Sequence, residues 1–189
     1  ISQTVSEMRE DEIQQLEKAK KMETSEDEYY SIIEKKTASL IASCCAIGAV
    51  SAGADTAQTE TLRQFGINAG IAFQIRDDIF DYQPNNKSGK GYGNDIREHK
   101  MTLPLIHLLR ESSLTERTVI KTKIVLSGKK KKTIDEIISL ANEKHSIEYA
   151  TEKMNMYIGK AESQLNKLGD NEACNDLRNL MYYCIKREK

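Results

Sequence analysis

The feature of this sequence that most constrains its fold is a group of three carboxylates at the end of an apolar, helix-forming stretch. Residues 73–82 read FQIRDDIFDY, so Asp77, Asp78 and Asp81 lie within five residues. On an α-helix Asp77 and Asp81 share one face, with Asp78 beside them and Gln74 one turn earlier. Like charges at this spacing repel each other, and a helix C-terminus disfavours negative charge. The pattern therefore predicts a cation at this face, and carboxylate oxygens indicate Mg²⁺.

The rest of the sequence predicts a helical protein. Its 189 residues include only 2 Pro and 10 Gly, and helix-forming Ala, Leu, Ile, Glu and Lys are common. We find no stretch with the alternation and β-branched enrichment of a strand. The length allows one sizeable core, so residues 1–189 are predicted to form a single all-α domain, a helical bundle.

Capping and breaking residues predict where the helices begin and end. A first helix is expected over Ile1 to about Met22, and a capping box of Ser25 and Glu28 predicts the start of the next, which should end near Gly53. The later predicted starts are Asp55 or Thr56, Thr102 with Pro104 in the first turn, Thr115, Thr133 with Glu136 as a capping box, Ser146, and Asp170 or Asn171. Gly169 should end the helix that begins at Ser146. Residues 83–94, QPNNKSGKGYGN, predict a long loop.

The stretch from Thr37 to Ala54 carries no charge and is near the lower length limit for a membrane span. It is rich in Ala, Ser and Gly, and such small residues let helices approach closely. We therefore predict a central bundle helix surrounded by other helices, and no stable membrane insertion. Gly66 and Gly70 in the following helix indicate the same close packing.

Charge and cysteine content exclude some classes of protein. The net charge of −1 provides no general signal for nucleic-acid binding. The four cysteines contain no C-x-x-C pair, which indicates reduced thiols in a cytoplasmic protein. No secretory signal is visible at Ile1, and the chain lacks an initiator Met, so we expect it to start inside a longer protein.

Lysines near the carboxylates could neutralise a phosphate. Lys90 lies among glycines that can fold over an anion, and Lys100 lies ten residues further on. Lys36 stands where a charged stretch becomes an uncharged helix, a position suited to an anion, although a plain surface lysine fits equally well. The run Lys129–Lys132 predicts a solvated turn, with contact to an anionic membrane as the alternative.

Taken together, these motifs resemble the trans-type polyprenyl diphosphate synthases, in particular bacterial octaprenyl-type enzymes. The resemblance rests on the FQIRDDIFDY segment after Gly66 and Gly70, on GKGYGND, on KMTLPLI, and on Lys36-Thr37-Ala38 after Tyr29 or Tyr30. It covers nearly the whole chain. It implies an isoprenoid synthase fold, of which this chain would hold the C-terminal helices, and a homodimer.

The resemblance also implies a reaction. An allylic prenyl diphosphate condenses with isopentenyl diphosphate, in the presence of Mg²⁺, and releases diphosphate. By motif match Asp77 would hold Mg²⁺ on the allylic diphosphate, with Asp78 and Asp81 in support. The pattern thereby implies a metal site made of these three aspartates.

The same match assigns further roles. Lys36, Lys90 and Lys100 would bind the diphosphate. Thr37 and Gln74 would lie near the developing carbocation, and Phe73 would face the isopentenyl side of the substrate pocket. The implied catalytic residues are Lys36, Thr37, Gln74 and Asp77.

One part of the family pattern is missing. The family has a first D-D-x-x-D motif on an earlier helix, and neither 26–28 nor 135–136 has that form. We therefore expect a C-terminal portion of a synthase without the N-terminal half. Alone, it should bind diphosphate weakly and should not elongate prenyl chains.

Other classes of protein remain as alternatives. One is a non-catalytic partner subunit of a heteromeric prenyl synthase, against which the intact aspartates and lysines argue. Another is a terpene cyclase, which should show an Asn–Ser/Thr–Glu metal motif on a later helix, and we find none. A purely structural bundle would not need a buried group of aspartates.

Overall fold

The computed structural model describes residues 22–83 and 92–186, and the regular structure in these ranges is helical. The α-helices are α1 (Glu26–Ile33), α2 (Ser39–Ser51), α3 (Thr56–Phe80), α4 (Asn94–Arg97), α5 (Leu103–Arg110), α6 (Leu114–Ser127), α7 (Lys131–Glu143), α8 (Ser146–Asn166) and α9 (Glu172–Lys186). A π-helical segment, Glu34–Ala38, joins α1 to α2. The predicted all-α fold is confirmed. The helix predicted over Ile1–Met22, and Lys90 with most of its loop, lie outside the described residues.

Side chains cap several helix N-termini at or within one residue of the positions that the sequence predicts. Capping boxes pair Ser25 with Glu28 at α1, Asp55 with Gln58 at α3, and Ser113 with Glu116 at α6. The third pair starts α6 at Leu114, one residue before the predicted Thr115. Before α9, Asn171 Oδ1 accepts a hydrogen bond from the N–H of Cys174 at 2.9 Å. Gly169 adopts the left-handed conformation with φ +86°, as expected of a residue that follows a helix end.

The predicted capping box at the start of α7 is wrong. This helix begins at Lys131, with Lys130 at the cap position and no side-chain cap. Thr133 lies inside the helix and is buried, and its hydroxyl donates to Ser127 Oγ at 3.0 Å. The residue that matches the capping pattern is thus used in a tertiary contact instead.

The close approach of α3 to α2 and to the π-helical segment depends on Gly66 and Gly70. A Cβ atom added to Gly66 would lie 2.6 Å from the Cα atom of Ala42, and one added to Gly70 would lie 2.6 Å from the Cα atom of Ala38. Since real Cβ atoms do not approach backbone so closely, any larger residue must push the helices apart. The predicted close packing is confirmed.

The opposite face of α2 differs from the prediction. Leu40, Ile47 and Val50 are each more than half exposed within the described structure. The expectation that α2 is surrounded by other helices is therefore wrong for the described residues, because only the face toward α3 is densely packed. None of the helices that the structure describes is both long and apolar enough to cross a membrane.

The longest helix, α3, organises the core. It packs most extensively against α8 and α2. Its buried residues contribute to one apolar cluster with α1, α5 and α8, and to another with α8 and α9. A third cluster joins α5, α6 and α7. The C-terminal end of α3, which carries the aspartates, is thus held between α1 and the segment that leads into α5.

Candidate functional site

The three aspartates at the end of α3 lie in three different environments. The Asp78 residue is 5% exposed, whereas the Asp77 side chain is 41% exposed. Asp81 lies just beyond Phe80 as the residue that ends the helix. Across residues 22–83 and 92–186 no three His, Cys, Asp or Glu side chains are grouped as metal ligands. The assignment of all three aspartates to a metal stays a prediction.

Asp78 belongs to a chain of hydrogen bonds that is partly buried at Thr37 and Gln74 and fully buried at Tyr29. Thr37 Oγ1 donates to Gln74 Oε1 at 3.1 Å, and Gln74 Nε2 donates to Asp78 Oδ1 at 3.1 Å. On the other side, Tyr29 donates its hydroxyl to Asp78 Oδ2 at 2.7 Å. The chain joins α1, the π-helical segment and α3. The structure therefore brings together Thr37, Gln74 and Asp78, three residues that the sequence places in one site.

Burial dominates the acid–base behaviour of this network. Burial raises the pKa of Asp78 to about 7, even though the hydrogen bonds from Tyr29 and Gln74 act in the opposite direction. Burial, followed by the nearby charge of Asp78, also raises the pKa of Tyr29 well above its usual value. Tyr29 thus remains a hydrogen-bond donor over the whole range in which Asp78 titrates.

The π-helical segment carries two of the predicted site residues, Lys36 and Thr37. Here the N–H of Ser39 bonds to the carbonyl of Glu34, five residues earlier, so this turn is wider than an α-helical turn. Such turns are frequent at functional sites. No signal in the sequence predicted it, because the residues here are ordinary helix formers.

Asp81, at the end of α3, binds the backbone of residues 93–95, which follow the loop. Its Oδ1 and Oδ2 atoms each accept a hydrogen bond at 2.9 Å, from the N–H groups of Asn94 and Asp95 respectively. Its carbonyl accepts a third bond, at 2.8 Å, from the N–H of Gly93, which has φ +73°. The Asp81 carboxylate thus acts as the acceptor for the first turn of α4.

This attachment also determines the position of Lys100. Its Nζ atom lies 3.2 Å from Asp95 Oδ1 and 2.7 Å from Glu98 Oε2. The bond from Lys100, with a smaller effect from the charge of Lys36, lowers the pKa of Glu98. The positive charges of Lys100 and Lys36, which are distant in sequence, therefore both lower the pKa of the Glu98 carboxyl.

Arg76 provides a cation beside Asp77. Its Nη1 atom lies 3.2 Å from Asp77 Oδ1, and its guanidinium stacks over the Phe80 ring at 3.8 Å from the ring centre. The side chain is almost fully buried. Asp77 is thus a half-open carboxylate with an arginine next to it. Of the remaining predicted residues, Phe73 is partly buried on α3 next to Gln74.

Sequence reasoning missed Tyr29, Arg76 and Asp95 as members of this site. Asp95 could have been noticed, because it is an acid in the same segment as Lys90 and Lys100. The role of Tyr29 depends on a contact between α1 and α3, and a tyrosine in an amphipathic helix provides no local signal of such a contact.

The fold is that of a known family. The sequence model of the polyprenyl synthetase family matches residues 1–141, and the chain belongs to that family. The octaprenyl diphosphate synthase of Haemophilus influenzae is 35% identical over 179 residues, which are 94% of this chain and 54% of that protein. Heptaprenyl diphosphate synthase component 2 of Bacillus subtilis is 32% identical over 189 residues, covering 100% of this chain and 53% of that protein.

Solved structures agree with this placement. A decaprenyl diphosphate synthase from Rhodobacter capsulatus superposes with a TM-score of 0.88 at 29% identity, over 100% of this chain and 58% of that one. A polyprenyl synthase from Caulobacter crescentus, complexed with calcium and isoprenyl diphosphate, has a TM-score of 0.88 at 30% identity. The match covers 100% of this chain and 58% of that one. The chain thus spans about half the length of the relatives it matches, and the predicted isoprenoid synthase fold is confirmed for that part.

Proposed function

We propose that the protein is a prenyltransferase that condenses an allylic prenyl diphosphate with isopentenyl diphosphate and releases diphosphate. The family and the relatives, which are prenyl diphosphate synthases, support the reaction class. The observation that carries the proposal is the attachment of Asn94 and Asp95 to Asp81. Through it, the segment that carries Lys100 is held against the acidic end of α3, an arrangement that supports binding of a metal-bound diphosphate.

The residues at the end of α3 fit Mg²⁺ in one particular form. Mg²⁺ usually takes one or two carboxylates and completes its octahedron with water and substrate phosphate. Asp77 is open enough to be a direct ligand, whereas Asp78 is enclosed by Tyr29 and Gln74, and Asp81 already accepts two N–H groups. We assign Asp77 as the direct ligand, with Asp78 and Asp81 as supporting residues. When bound, Mg²⁺ would neutralise charge on the leaving diphosphate.

The remaining residues act on the substrate. Lys36 and Lys100 place positive charge where the diphosphate departs, and Lys90 would add a third lysine from the loop. The chain of bonds through Thr37 and Gln74 holds polar oxygens close to the site, where they can stabilise a developing allylic cation. Phe73 would form part of the apolar wall that shields this cation from water.

We further propose that the protein works in the cytoplasm and as a homodimer. Cys44, Cys45, Cys174 and Cys184 are all free, which suits a reducing compartment. The homodimer is carried over from the family resemblance. Light scattering of the purified protein would measure its mass in solution, and a monomeric mass would contradict the homodimer.

A second candidate is a subunit of a heteromeric synthase. The Bacillus relative is named component 2 of a heptaprenyl diphosphate synthase, which favours an assembly with a different protein. Under this alternative the protein would be a non-catalytic partner and would show no turnover of its own. The retained Lys36, Lys100 and Asp77 favour the catalytic role.

The test compares two adjacent lysines of the π-helical segment. Lys36→Gln should lower incorporation of labelled isopentenyl diphosphate by the intact protein by at least ~100-fold, because a charge that stabilises the departing diphosphate is lost. Lys35→Gln removes the same charge one position away and should retain most activity. Equal activity of both variants would contradict the assignment of Lys36, and intact protein without turnover would favour the partner-subunit alternative.

A further inference from the structure

Positive charge is concentrated between Arg117 and Lys132. These sixteen residues hold seven Lys or Arg and no Asp or Glu, although the whole chain has 28 cationic and 29 acidic residues. They cover α6 from its fourth residue onward, the turn after it and the first residues of α7. The side chains of Lys129–Lys132 are all exposed. Lys129–Lys132 therefore form a strongly basic group where α6 ends and α7 begins.

Only some of these cationic side chains form ion pairs or hydrogen bonds within the described part of the fold. Lys123 Nζ pairs with Glu136 at 2.8 Å, and Arg117 donates to the carbonyl of Leu109 at 2.8 Å. Within the described ranges, by contrast, none of Lys129–Lys132 lies within 4.0 Å of a carboxylate. Four adjacent lysines repel one another, and Lys130 to Lys132 lie at a helix N-terminus, where positive charge is unfavourable. Stability of the fold does not explain these lysines.

Exposed apolar side chains lie on α6, the helix that leads into the lysines. Leu126, in the last turn of α6, is 78% exposed, and Val119 and Val125 are about half exposed. Val119 and Leu126 are seven residues apart and therefore share one face of α6, whereas Ile120 and Ile124 point into the core. We call Val119, Val125, Leu126 and Lys129–Lys132 the basic–apolar surface.

We propose that the basic–apolar surface docks the protein on an anionic lipid membrane. The lysines would lie among the negatively charged headgroups, and Leu126 with the two valines would enter the boundary between headgroups and acyl chains. This contact is peripheral and consistent with the absence of a membrane-crossing helix among residues 22–83 and 92–186. It does not depend on the proposed reaction.

The composition of the surface favours a lipid over a nucleic acid. A phosphate backbone would attract the lysines but would offer no apolar layer for Leu126, Val119 and Val125. Single-stranded nucleic acids are usually bound with the help of aromatic side chains, and residues 117–132 contain none. An anionic bilayer offers negative headgroups for the lysines and an apolar layer for the leucine and valines.

The test measures sedimentation of the purified protein with vesicles. Binding is expected with phosphatidylcholine mixed with phosphatidylglycerol, and not with phosphatidylcholine alone, and it should weaken as salt is raised. The variant Lys130→Gln/Lys132→Gln should bind at least ~tenfold more weakly, since each lysine near such a surface contributes roughly a factor of five. Lys160→Gln/Lys167→Gln removes the same charge from α8 and the residue after it and should bind like the wild type.

A second variant tests the apolar half. Leu126→Ser keeps every charge and should weaken vesicle binding at least ~threefold. It should leave binding to heparin, a polyanion without an apolar layer, unchanged. The proposal is overturned if the wild type does not sediment with anionic vesicles, if the two double variants bind alike, or if Leu126→Ser binds vesicles as tightly as the wild type. Circular dichroism checks that each variant is folded, which is expected because the replaced side chains are exposed.

Discussion

The hydroxyl of Tyr29 lies 2.7 Å from Oδ2 of Asp78, a residue 49 positions later in the chain. The bond is buried and joins α1 to the acidic end of α3. With the bond from Gln74, it gives both oxygens of the Asp78 carboxylate a partner. The position of α1 against α3 thus depends in part on the residues of the candidate site.

Removal of this bond should lower stability. Tyr29→Phe leaves the ring in place but takes away the donor, and a buried carboxyl oxygen without its partner costs about 1–3 kcal/mol. Urea denaturation of the two proteins measures this loss. Tyr183→Phe makes the same chemical change on an exposed ring and should alter stability by less than ~0.5 kcal/mol. An equal effect of the two substitutions would show that the Tyr29 bond contributes nothing specific.

Asp78 should make stability depend on pH. Burial raises its pKa in the folded protein from the usual 3.8 to about 7. The folded state then holds the proton more tightly than the unfolded state, so this group lowers stability as pH rises from about 4 to about 7 and has a constant effect above that.

The Asp78→Asn variant isolates this effect. His107, whose pKa is lowered by burial, changes stability in the opposite sense near neutral pH and is present in both proteins. The free energy of unfolding of the wild type minus that of Asp78→Asn should therefore fall between pH 4 and pH 7. A difference that is flat over this range would contradict the raised pKa of Asp78.

The contact between the π-helical segment and α3 should not tolerate a methyl group. Gly70→Ala places a Cβ atom 2.6 Å from the Cα atom of Ala38, so the π-helical segment and α3 must separate, at a cost of about 1–3 kcal/mol or more. Gly159→Ala in α8 meets nothing within 4 Å and should raise stability by about 0.5–1 kcal/mol through helix propensity. Thermal unfolding of the two variants tests the difference in sign.

Substitutions of Asp77 and Asp81 should have different effects, the first on turnover and the second on the structure around α4. Under the proposed function, Asp77→Asn should reduce turnover of the intact protein at least ~100-fold, because a metal ligand is lost. The melting temperature should change little, because the side chain is half open and Asn keeps an acceptor oxygen for Arg76. Asp81→Ala removes two acceptors and should expose the N–H groups of Asn94 and Asp95.

Amide hydrogen exchange distinguishes the two variants. Exchange at Asn94 and Asp95 should become faster in Asp81→Ala and should stay unchanged in Asp77→Asn. Near-normal turnover of Asp77→Asn would refute its assignment as the metal ligand, and unchanged exchange in Asp81→Ala would show that α4 is held by other contacts.

Local signals in the sequence predicted much of the fold. The cap at Ser25 and the start at Asp55 are as expected, because capping uses residues only three apart. Thr133 shows the limit of such signals, since its hydroxyl bonds to Ser127 rather than to its own helix. The same limit applies to α2, where an uncharged sequence indicated full burial and the structure buries one face.

The sequence by itself determined the helical class, the family and the place of the aspartates on one helix, because periodicity, capping and motif spacing are properties of neighbouring residues. Only the tertiary structure decided the environment of each aspartate. Asp78 is buried by Tyr29 from α1, Asp81 is engaged by the N–H groups of α4, and Asp77 stays half open. Three identical side chains differ because burial and hydrogen-bond partners come from segments that are distant in sequence.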